Sequence, residues 1–121
     1  HCDSPKPGQA EGWPTIIGED VLIGHMAMVH GCTIERAGFV GLGAIVMNGV
    51  VIGEQGMVGA GAMVTENKRI APRELWVGRP AKPVRELPES ALAGMAEGVD
   101  HYVENGRNHA KAIEAQLAAK D

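Results

Sequence analysis

Large rings are almost absent from this sequence: one phenylalanine, one tyrosine and two tryptophans make up 3% of its 121 residues. That excludes a core of interlocking aromatics and leaves small aliphatic side chains to fill any interior. Cysteine is as scarce, with Cys2 and Cys32 only. No Cys-x-x-Cys pair occurs and two thiols make no disulfide framework, so both are read as free buried thiols in a reducing, cytoplasmic setting. A basic excess is missing too. The formal charge is −4, the pI is about 5.7, and the longest basic run is Lys68-Arg69. Such a chain offers no electrostatic footprint for nucleic acid or an anionic membrane. No apolar run approaches the length of a membrane span, and no signal-peptide pattern precedes the fold. The length predicts one domain.

What the sequence has instead is glycine, 17 of them, and a repeat. An aliphatic residue recurs at Ile17, Ile23, Val29, Ile34, Val40, Val46, Ile52, Val58 and Val64. The step is six residues throughout, except for a step of five from Val29 to Ile34. A small or β-branched residue follows four positions after each of the first eight anchors: Val21, Ala27, Thr33, Gly38, Ala44, Val50, Gly56 and Ala62. Glycine directly follows the anchor at Gly18, Gly24, Gly41, Gly53 and Gly59.

Period six does not track the 3.6 residues of a helix, and the glycines would break one. It fits short strands, three to a triangular coil, with successive coils paired in parallel at about 4.8 Å. The anchor points into a narrow prism where Ile, Val or Leu fits and a ring would not. The small residue sits near a corner, and glycine after the anchor relieves turns, some of which need φ > 0. The expected fold is therefore an all-β solenoid, a left-handed parallel β-helix of hexapeptide repeats with about three coils. Its expected segments are a loop over 1–14, the β-helix over 15–70, a proline-containing connector over 71–88 and a helical segment over 89–121. In the last, Leu92, Met95, Val99, Tyr102 and Val103 recur at helical spacing, so a helix or two should lie flat on the solenoid. A further element over 110–119 is expected to fray or to face a partner.

Two of the five histidines, His25 and His30, lie inside the repeat. Five residues is nearly one side of the triangle, so they should point from neighbouring corners and cannot share an ion within one chain. Solenoids side by side in a trimer would bring one subunit's corner histidine to another's. With a third imidazole from His1, that would make a three-histidine site with one open position, as in catalytic zinc centres. Spacing alone also fits ordinary half-buried histidines that bind nothing. Cys32 fits the repeat as a small buried side chain, Trp76 reads as packing, and His101 and His109 as a solvated helix face.

The stretch Gly24-His-Met-Ala-Met-Val-His-Gly-Cys-Thr-Ile34 closely resembles the signature of the γ-class carbonic anhydrase-like proteins. The resemblance continues through Phe39-Val-Gly-Leu-Gly-Ala44, Asn67-Lys68 and Leu75-Trp-Val-Gly-Arg-Pro-Ala-Lys82, and covers most of Ile17 to Arg85. It implies a homotrimer with a metal between subunits, zinc or else iron or cobalt. His1 and His30 would come from one subunit and His25 from the next. It implies hydration of carbon dioxide to bicarbonate, the metal lowering the pKa of bound water. It also implies a pocket role for Tyr102, for which packing on the helix face is the alternative. Family members carry a Gln-Asp-Gly stretch upstream of the first histidine, and this chain begins at that histidine. Glu11 and Asp3 lie in the loop where members carry an acidic proton shuttle, without its motif. Two other readings stay open. One is an acyltransferase or thioesterase acting on an acyl-CoA, which needs a single histidine base and a groove. The other is a metal-binding trimer without turnover.

Overall fold

The computed structural model describes residues 1–120. The repeat appears as a series of two-residue strands: β1 (Ile16–Ile17), β2 (Leu22–Ile23), β3 (Met28–Val29), β4 (Thr33–Ile34), β5 (Phe39–Val40), β6 (Ile45–Val46), β7 (Val51–Ile52), β8 (Met57–Val58), β9 (Met63–Val64) and β10 (Arg69–Ile70). Two longer strands, β11 (Glu74–Gly78) and β12 (Ala81–Glu86), precede one helix, α1 (Glu89–Ala118). The strands stack into three walls, in the orders β1-β4-β7-β10, β2-β5-β8-β11-β12 and β3-β6-β9. All pairs are parallel except β11 with β12. This is the left-handed β-helix of hexapeptide repeats, about three coils tall.

The register follows the anchors. Ile17 pairs with Ile34, Ile34 with Ile52, and Ile52 with Ile70 on one wall. Ile23, Val40, Val58 and Trp76 align on the second, and Val29, Val46 and Val64 on the third. Anchors of the inner coils are sealed: Val40, Val46, Ile52, Val58 and Val64 are 0% exposed. Those of the first coil are not, with Ile17 at 49% and Ile23 at 37%, because no strand among the described residues covers their end of the prism.

Four details depart from the sequence reading. The repeat runs on through Ile70 and Trp76, so a ring does occupy an anchor position. It does so at the far end of the prism, where no further coil constrains its size, with its indole N–H donating to Glu74 Oε1 at 2.5 Å. The small inward residue after Val29 is Cys32 rather than Thr33, because the short turn moves the corner back by one. Cys32 is 1% exposed, and Thr33 pairs with Val51 as a strand residue. The glycines after the anchors are not there for φ > 0. A Cβ on Gly41 would lie 2.5 Å from the Ala60 backbone nitrogen, and one on Gly24 would lie 2.7 Å from that of Leu42. They let neighbouring coils approach. Positive φ falls instead two or three residues after each anchor, in a column at every corner: Asp20, Ala37, Gln55 and Arg73; Met26, Gly43 and Gly61; Gly31, Gly49 and Asn67.

The fourth departure is the helix. The 110–119 segment is no separate element, since α1 runs unbroken through Gly94, Gly98 and Gly106 for 30 residues. Its first half packs on the wall of β2, where Leu92 is buried and Leu22 meets Gly98, and its second half projects into solvent. Hairpin β11–β12 carries the chain back to the start of α1. There Arg73 pairs with Glu89 in the helix's first turn, and the Leu87 N–H donates to the Arg73 carbonyl at 2.7 Å. The residues read as a connector are thus mostly this hairpin. Pro83 sits in its edge strand, where no ladder donor is required.

Candidate metal centre

The turn after β3 is the short one, and it carries His30. Its backbone aligns His30 with Met47 and Gly31 with Gly49 of the next coil, both glycines having φ > 0. The position occupied by Asn48 has no counterpart in the first coil. Over this gap folds the 1–14 segment, which is not a free loop. Asp3 pairs with Trp13 and Lys6 with Gln9 in a small antiparallel hairpin. Trp13 lies against Gly31 and Gly49, where a Cβ would also strike Asn48 Oδ1 at 2.3 Å and Asn67 Oδ1 at 2.2 Å respectively.

The hairpin sets His1 beside β3. The His1 backbone nitrogen donates to the Val29 carbonyl at 2.9 Å, and its carbonyl accepts from the Gly31 N–H at 2.8 Å. Thr15 Oγ accepts from the same Gly31 N–H at 2.9 Å and donates to the His1 carbonyl. The outcome is that His1 and His30 stand ring to ring, centroids 4.8 Å apart and planes inclined by 30°. His30 is half-buried and His1 exposed. His30 Nδ1 lies 2.7 Å from Asn48 Oδ1, and Asn48 Nδ2 donates to Asp3 Oδ2 at 3.0 Å. The Lys6 ammonium on Asp3, at 2.7 Å, holds that carboxyl below the usual carboxylate range. Cys32, two residues on, is sealed in the core, and burial pushes its thiol up.

His25 is elsewhere. It stands exposed on the turn after β2, a different corner of the prism. Among the described residues, no three His, Cys, Asp or Glu side chains gather within one chain to hold an ion. His25 borders an open, mostly apolar groove of about 820 Å³ between α1 and the wall of β2, β5 and β8, lined by Leu22, Phe39, Leu42, Met57 and Tyr102 among others. Tyr102 is half exposed, edge-on to His101 at 5.5 Å, and shares this groove with His25 rather than the space between His1 and His30. His101 and His109 lie exposed on α1. Glu11 is exposed on the hairpin with no partner in the site.

Sequence reasoning passed over Asn48. The signal was present: laying His30-Gly31-Cys32 over Met47-Asn48-Gly49-Val50 leaves Asn48 above the missing residue.

No protein-family profile matches the chain. It is 41% identical over 97 residues to gamma carbonic anhydrase 2, mitochondrial, of Arabidopsis thaliana, covering 80% of this chain and 35% of that protein. It is 44% identical over 103 residues to protein YrdA of Escherichia coli, covering 85% of this chain and 54% of that one. Among solved structures it resembles a hexapeptide transferase family protein from Anaplasma phagocytophilum, with a TM-score of 0.68 and 32% identity over 78% of this chain and 61% of that one. The chain thus spans between about a third and about half of the curated relatives it matches. No helix among the described residues is long and apolar enough to cross a membrane.

Proposed function

We propose that this chain, which belongs to the γ-class carbonic anhydrase-like family of hexapeptide-repeat proteins, hydrates carbon dioxide to bicarbonate at a metal centre completed between the subunits of a homotrimer. The observation that carries this reading is the pairing of His1 with His30 at 4.8 Å while His25 stands on another corner. Two imidazoles from one chain and one from its neighbour make the donor set of a catalytic zinc-type ion, with iron or cobalt as the other candidates. The donor chemistry fits, because the His30 Nδ1 is already engaged by Asn48 and its Nε2 lone pair is free. When bound, such an ion acts as a Lewis acid that brings the pKa of a water toward neutrality.

The chain's own residues supply placement and exclusion of water. The hairpin over 1–14 fixes the backbone of His1, and Asn48 fixes the ring of His30. The groove beside His25 is mostly apolar, which suits a small substrate without charge and disfavours bulk water. Tyr102 stands there as the one phenol able to orient a polar product. Purified protein should contain about one zinc-type ion per chain, as expected of one site per interface in a closed ring. Stopped-flow hydration should be lost in His25→Ala and in His30→Ala together with the metal. Wild-type protein free of zinc, iron and cobalt, with His25→Ala unchanged, would retire the reading.

A second reading, acyl transfer or thioester hydrolysis on an acyl-CoA, is favoured by the same groove, whose size suits a thioester arm beside a single histidine. Saturable binding of acetyl-CoA by metal-free protein would support it, and a tetrahedrally bound ion at His30 would exclude it. A trimer with metal and no turnover would separate from both in the hydration assay. We place the protein in the cytoplasm on the reading of its two cysteines as free thiols.

A further inference from the structure

Asn48 occupies the position that the first coil's turn lacks, and its amide fills the gap. The ends of an amide are told apart by what they face. Asp3 receives the Lys6 ammonium at 2.7 Å, so its carboxylate accepts and cannot donate. Turned over, the Asn48 amide would set its oxygen against that carboxylate. Its NH2 therefore faces Asp3, at 3.0 Å, and its oxygen faces His30, at 2.7 Å. An oxygen acceptor at that distance requires His30 to carry its proton on Nδ1. Gly31 keeps the path open, since a Cβ there would lie 2.3 Å from Asn48 Oδ1.

We propose that Asn48 is a positioning residue, holding His30 as the Nδ1–H tautomer so that Nε2 is presented as the metal donor, with Asp3 and Lys6 locking Asn48 in turn. The proposal rests on the metal-centre reading above. Partners of this kind, behind a ligating histidine, fix its ring and tautomer and raise its basicity. The chain of bonds runs from the 1–14 hairpin through the second coil to the first, so it also ties together the elements that carry His1 and His30.

The test reads the histidine before any metal is added. Long-range 1H–15N correlation spectra of the metal-free full chain, at about pH 8 and so above the ordinary histidine range, report which ring nitrogen of His30 is protonated. Wild type should show Nδ1–H. Asn48→Ala should move His30 toward the Nε2–H form that an unconstrained imidazole favours, and should weaken zinc binding about 10–100-fold in a chelator competition. The double change Asn48→Asp with Asp3→Asn keeps an acceptor toward His30 and exchanges the polarity behind it, and should restore both readouts. An unchanged tautomer in folded Asn48→Ala overturns the proposal, whatever its zinc affinity. Should that variant not fold, loss of the Nδ1–H form in the double variant overturns it. A wild type that binds no zinc, with a tautomer that still answers to Asn48, would instead remove the metal-centre reading while leaving the tautomer lock in place.

Discussion

Met26 has a φ of 62° and is 93% exposed, beside His25 at a corner where the two coils beyond carry Gly43 and Gly61. A side chain in the left-handed region costs about 1–2 kcal/mol, of which glycine's greater unfolded-state freedom takes back roughly half. Met26→Gly should therefore raise the stability of the isolated chain by about 0.5–1 kcal/mol, read as a higher urea midpoint at unchanged slope. A fall would mean that the methionine has contacts the single chain does not provide. The two cysteines should behave oppositely. Exposed Cys2 should react with a thiol reagent at once, and Cys32 only on unfolding. Because burial raises the Cys32 thiol, its contribution to stability is full below the ordinary thiol range. It is lost as pH climbs through and above that range, so Cys32→Ala should flatten the alkaline limb of the stability profile.

At the scale of the element, neighbouring glycines do different work. Gly41 lies outside the left-handed region, and a Cβ there would strike the Ala60 backbone, whereas Gly43 has φ of 66° and open space around it. Gly41→Ala must push two coils apart and should cost about 2–3 kcal/mol, at the upper end of overpacking costs. Gly43→Ala carries only the net backbone cost of about 0.5–1 kcal/mol, the Met26 balance with its sign reversed. Equal urea midpoints for the two variants would contradict this division. The walls of the solenoid were legible because the anchors from Ile17 to Val64 keep a six-residue step with the one exception at Val29–Ile34, and a parallel register maps each onto its counterpart. The assignment of Thr33 was not, since only the pairing of Thr33 with Val51 shows that the short turn shifts the corner to Cys32. The full length of α1 was not legible, because Gly94, Gly98 and Gly106 weaken a helix in isolation and 110–119 reads as a separate element. Packing of Leu92 and neighbouring residues on the β2 wall supports the first half, while the half that carries Gly106 projects into solvent and is helical without that packing.

At the scale of the molecule, a single chain brings together two of the three imidazoles of the proposed centre. Solenoid geometry makes the separation of His25 from His30 readable in the sequence, because each follows its own strand around a different corner. The approach of His1 to His30 was not readable from spacing. It depends on the hairpin made by Asp3, Trp13, Lys6 and Gln9, and on Thr15 bridging His1 and Gly31, contacts with no periodic signature. The central claim is that His25 of one chain serves the His1 and His30 of another, and subunit mixing tests it most directly. His25→Ala and His30→Ala chains, each without metal alone, are unfolded together, refolded at equal ratio, and assayed for zinc. In a closed trimer every mixed ring regains one intact interface, so about a quarter of the wild-type zinc should return by random assembly. No recovery from mixed trimers would contradict a centre shared between chains.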